Sequence, residues 1–127
     1  MRLQTGALAA LVLAACAPPE RPLLEQFFGA SRLRDATALQ SIATIAFEPR
    51  QDGIVRTFEI TGVTPERRDG QKATKDVTVT APVILPSGET VQKTLVVTLE
   101  RTGPDGSARW LVTSVRDAAA SRSAPPL

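Results

Sequence analysis

The chain has 127 residues, 43% of them hydrophobic and 22% charged, with a formal net charge of +2. That balance is close to an ordinary globular protein and excludes disorder throughout, and 15 basic against 13 acidic side chains are too even for a nucleic-acid footprint, which needs basic residues in clear excess. Histidine and tyrosine are absent and cysteine occurs once, which removes the commonest general base, most soft metal ligands and any internal disulfide.

At the start, Arg2 and the terminal amine precede the apolar run "GALAALVLAA" over residues 6–15, a short positive region followed by a secretory h-region. A membrane helix needs roughly 20 apolar residues, and Pro18-Pro19 stops this run well short of that. It ends in "LAAC", Leu13-Ala14-Ala15-Cys16, which resembles the lipobox of bacterial lipoproteins. The resemblance implies that residues 1–15 are a signal peptide removed before Cys16, that the Cys16 thiol carries a diacylglyceryl group, and that the new amino terminus is acylated with a fatty acid such as palmitate. The other reading of Cys16 is a small buried hydrophobe or a free thiol. Acyl chains contribute about 0.8 kcal/mol per buried methylene, and two of them hold a protein stably where one does not. Residues 16–22 then form the lipidated cysteine and a short stiff leash, "APPERP". Ala17, in place of an aspartate, resembles the outer-membrane sorting pattern of enteric lipoproteins. The expected address is the cell envelope, lipid-anchored to the outer membrane and facing the periplasm.

From Pro22, the spacing of Leu23, Leu24, Phe27 and Phe28 predicts a helix over 22–33 with proline in its first turn and Gly29 weakening its end. Asp35 reads as the N-cap of a second helix over 36–47, where Leu39, Ile42, Ala43 and Ala46 keep helical spacing until Glu48-Pro49, so that two short amphipathic helices, or one bent one, are implied. Beyond "EPRQDG" the period switches to two and β-branched residues dominate. Strands are predicted over 54–63, 76–85, 90–100 and 109–115. In the second of these, Val77, Val79, Ala81, Val83 and Leu85 alternate with polar residues, giving one buried and one wet face, while Pro82 implies a bulge or an edge position. "LPSGET" is a turn in which Gly88 can take positive φ, and "RTGPDGSA" is another. A single domain over 23–117 is followed by a tail, 118–127, without apolar period and expected to fray.

The fold class these elements define is α+β: two N-terminal helices packed on a curved four-stranded antiparallel sheet, with a β-sandwich as the alternative. "EQFFGASRLRDATAL" and "DGSARWLVTSV" resemble the opening and closing segments of the nuclear-transport-factor-like, or cystatin-like, α+β superfamily. The resemblance implies a curved sheet laying Phe58, Val77, Val79, Leu95, Val97, Trp110 and Val112 against Phe27, Phe28 and Leu39. Enzymes of that superfamily, such as the ketosteroid isomerases, use a tyrosine and acids in a deep pocket; with no tyrosine here, catalysis does not carry over.

Carboxylates alone could hydrolyse glycosides, but Glu59 and Asp76 fall on expected solvent-facing positions and Asp69 and Asp105 in turns. No phosphate-binding loop, dinucleotide fingerprint, calcium loop or nucleophile elbow occurs. The expectation is therefore no enzyme, no cofactor and no metal. For contact with a ligand or partner the candidates are Arg67, Arg68, Lys72 and Lys75 in "ERRDGQKATK", able to touch an anionic lipid head or an acidic partner or to form a solvated hairpin. Arg56, on the parity of Phe58 and Ile60, reaches either into a pocket or to a wet rim, and Trp110 is a stacking platform or a core residue. The sequence thus leads to a non-catalytic envelope lipoprotein that acts as a protein-binding or assembly module, or else to a carrier or sensor enclosing a small apolar ligand between helices and sheet.

Overall fold

The computed structural model describes residues 18–103 and 109–119; the lipobox, Cys16 and Ala17, the turn around Asp105 and the tail from residue 120 lie outside them. Helix α1 (Arg21–Leu33) has proline in its first turn. It runs straight through Gly29 and ends where Arg34, at φ 58°, takes the left-handed conformation and caps Ala30 and Ser31. Helix α2 (Ala36–Gln40) is capped by Asp35, whose carboxylate accepts from the Ala38 N–H at 3.1 Å.

The second helix is shorter than its spacing predicts. After Ser41 the backbone leaves the helix for a partner far along the chain: Val112 N–H donates to Ile42 O and Thr44 N–H donates to Val112 O, both at 2.9 Å, as a parallel bridge. Ile42, Thr44 and Ile45 are β-branched and give up little by extending. Their apolar neighbours remain inside, with Ala43 and Phe47 buried. The Phe47 N–H donates to the buried Ser31 Oγ at 3.0 Å, stitching this segment to α1.

The sheet is antiparallel and curled. Strand β4 (Lys72–Ile84) pairs in full with β5 (Thr90–Thr102), and β5 pairs with β6 (Leu111–Asp117). The other side of β4 carries three short pieces: β1 (Ile54–Val55), β2 (Glu59–Val63) and β3 (Arg67–Asp69). The expected first strand is therefore broken at residues 56–58, where Phe58 turns into the core. Pro82 accounts for the break. Asp76 and Thr78 direct backbone groups toward the edge row, and by that parity the missing amide of Pro82 faces the gap between β1 and β2, where no ladder bond is needed.

Two glycines carry the turns. Gly88, at φ 96°, sits in the β4–β5 connection, where its N–H donates to Leu85 O. Gly53, at φ 103°, leads into β1 so close to β4 that a Cβ would stand 2.6 Å from Ile84 O.

One face of the sheet carries Val77, Val79, Ala81, Val83, Leu95, Val97, Leu99 and Val112, all buried, against Leu24, Phe27 and Phe28 of α1. All four phenylalanines of the chain meet here, the Phe28 ring standing 5.2 Å from Phe27 and 5.6 Å from both Phe47 and Phe58. Such offset and edge contacts add about 0.5–1.5 kcal/mol per pair to the area they bury. Leu39 and Trp110, expected in this core, are only partly buried at its margin. The arrangement is α+β with a single sheet among the described residues.

Adjacent positions of α1 respond in opposite ways. Phe28→Ala is expected to cost about 3–5 kcal/mol by opening a cavity at the aromatic junction. Gly29→Ala is expected to add about 0.5–1 kcal/mol, since a Cβ there meets nothing within 4 Å. Urea denaturation of the two variants reads both signs.

Candidate functional site

The alternation that builds the core continues past its apolar part. One step beyond Val77 and Leu99, the inward positions of β4 and β5 are Lys75 and Arg101, in register with Leu99 and Ala73. Trp110, just before β6, supplies a ring between strand and solvent. The Lys75 ammonium lies over it 4.5 Å from the centroid, and the Arg101 guanidinium lies over it at 4.6 Å. Each such contact is worth about 0.5–2 kcal/mol, rising as water is excluded.

Two carboxylates complete the rim. Glu20 Oε2 is 2.7 Å from Lys75 Nζ, and the two side chains are only 8% and 16% exposed, so their attraction is screened less than that of a surface pair. Glu66 meets Arg101 at 3.3 Å and Arg68 at 3.4 Å, while Arg68 donates to Gly103 O at 3.1 Å. Glu20 was expected in the leash; the folded body instead takes it in, with Arg21 N–H donating to Pro18 O at 3.2 Å.

Of the sequence candidates, the structure brings together Lys75, Trp110 and, through Glu66, Arg68. Arg67 lies on the opposite face of the sheet, 3.7 Å from Asp76. Lys72 is exposed on that same face at the end of the β3–β4 hairpin. Arg56 is exposed in the break between β1 and β2, so its supposed strand parity does not apply and it joins no other candidate. Asp76, expected to be wet, is instead four-fifths covered and accepts from Thr98 Oγ1 at 2.7 Å with Arg67 and Arg116 beside it. Glu20, Glu66 and Arg101 were not singled out from sequence. Strand parity extended by one step reveals Arg101, whereas nothing local reveals a partner for Glu20 that lies 55 residues away.

Open depressions flank the domain. One of about 440 Å³ lies beside the rim, lined by Arg101, Arg109, Thr44, Glu100 and Leu111. Another of about 470 Å³ runs along α1 and α2 at Glu25, Gly29, Leu33 and Ala38. Neither has walls from both α1 and the sheet, and between those two layers Leu24, Phe27, Val77, Val79 and Val97 are fully buried. Among the described residues no group of three or more acidic, cysteine or histidine side chains could hold a metal ion, and no helix is long and apolar enough to cross a membrane.

Comparison with known proteins finds no matching family model, no significantly similar curated protein and no significantly similar solved structure.

A double-mutant cycle measures what the rim contributes. Glu20→Gln and Lys75→Met are each expected to cost about 1–3 kcal/mol, because each strands a largely buried charge, and the double variant is expected to lose less than the sum. Urea unfolding followed by Trp110 fluorescence reads the coupling.

Proposed function

We propose that this chain is a non-catalytic, lipid-anchored lipoprotein of the bacterial cell envelope, whose small α+β domain serves at the membrane surface as a protein-binding or assembly module. The observation that carries the reading is the "LAAC" segment at residues 13–16 followed, four residues after Cys16, by a folded body that begins at Glu20. A domain starting so soon after an acylated cysteine works at the bilayer surface and not at a distance from it. Ala17 supports the outer membrane, with the domain in the periplasm.

What supports a non-catalytic role is how the carboxylates are held. Glu20 is paired with Lys75, Glu66 with Arg68 and Arg101, and Asp76 with Arg67 and Arg116; each has structural work, and the chain has no histidine or tyrosine to act beside them. The side-chain packing between α1 and the sheet favours a partner bound on the surface over an apolar ligand enclosed within. The element order, helices first and a curled antiparallel sheet after them, supports the resemblance to the nuclear-transport-factor-like proteins carried by the opening and closing segments.

Cys16→Ser is the direct test. The variant is expected to lose radioactive palmitate and to move from the membrane to the soluble fraction. A variant that still labels and still sediments with membranes overturns the proposal.

A further inference from the structure

The lipid attachment proposed above, on which this inference rests, has so little slack that it fixes which end of the domain meets the bilayer. Pro18 is two peptide units from Cys16, and consecutive Cα atoms are 3.8 Å apart, so the two Cα atoms lie within about 8 Å of each other. Pro18 is in turn bound to the start of α1 through the Arg21 N–H. The side chain of Glu20 is clamped to Lys75 at 2.7 Å. Lys75 leads directly to Trp110 and, across its ring, to Arg101. The point of attachment and the rim therefore share one end of the molecule.

The chemistry of that end suits phospholipid headgroups. Trp110 is the only tryptophan of the chain and only partly buried, and an indole with an apolar body and a polar N–H favours the interface between hydrocarbon and water. Glu20 and Glu66 are matched by Lys75, Arg68 and Arg101. Arg109 stands exposed beside them, and with Arg101 and Glu100 it lines the 440 Å³ depression, where headgroup phosphates can be met. At the other end the β4–β5 connection, residues 85–89, begins ten residues beyond Lys75, about 33 Å along β4.

We propose that the Trp110 rim is the membrane-facing surface of this protein, resting on anionic phospholipid headgroups around the acylated Cys16 while the 85–89 turn points away from the bilayer.

The test uses the acylated full chain, its fatty acids established by intact mass, in vesicles of phosphatidylethanolamine and phosphatidylglycerol with a spin label on part of the headgroups. Trp110 fluorescence is expected to be quenched severalfold more than that of the Ser87→Trp, Trp110→Phe variant, which reports from the distal turn. Equal or reversed quenching overturns the orientation and leaves the lipoprotein reading standing. A mass without fatty acid overturns the lipoprotein reading, and the orientation with it. A second readout needs no change in the domain: aqueous iodide is expected to quench Trp110 severalfold less in the vesicle-bound protein than in soluble Cys16→Ser, and equal access overturns the orientation.

Discussion

Everything in this fold is fastened to one ladder, the unbroken pairing of β4 with β5 over thirteen residues from Lys72↔Thr102 to Ile84↔Thr90. It satisfies the backbone of both strands and sets a single alternation across them. A slip of one residue would turn either Val77, Val79 and Val83 of β4 or Leu95 and Val97 of β5 to water, so the register is held by the whole apolar face. The three edge pieces hang on β4, β6 hangs on β5, and α1 closes over the face that the ladder defines.

The same alternation explains why charged residues enter the inner face near both ends. A thirteen-residue strand is longer than the helix-covered stretch beneath it, so its inward positions emerge from cover while keeping their direction. At one end this places Lys93 opposite Asp117 at 3.2 Å; at the other it places Lys75 and Arg101 under Trp110. Long side chains suit such positions, since their stems bury against the last apolar residues and their heads find partners at the margin. The rim is a by-product of strand length on which specific pairing has been built.

What sequence reveals of this molecule follows the range of the forces involved. α1, the Asp35 cap, the β4–β5–β6 meander and the Gly88 turn are specified by residues within a few positions of one another, and each is legible. The second helix is not, because Leu39, Ile42, Ala43 and Ala46 satisfy helical spacing equally well when the chain is helical or folded over, and the hydrogen bonds that decide come from Val112. Arg56 was misplaced for a related reason: its parity assumed a continuous strand, whereas Pro82 on the neighbouring strand leaves a gap there. Lys75 and Trp110 are legible as candidates but not as neighbours, and the Glu20 pair that links the start of α1 to the rim depends entirely on tertiary approach.

The treatment of the sheet margins has a consequence for encounters between copies of the protein. Along part of β6 the lateral backbone groups are taken by residues 42–44. On the opposite side the row beside β4 is cut into three short pieces, irregular between Ile60 and Gly62 and studded with Arg67 and Arg68. Where copies meet often, a long straight unpaired strand would template fibrous stacking between them. With that surface interrupted and charged, the fold resists edge-to-edge pairing and copies of the protein remain separate units even where they are crowded.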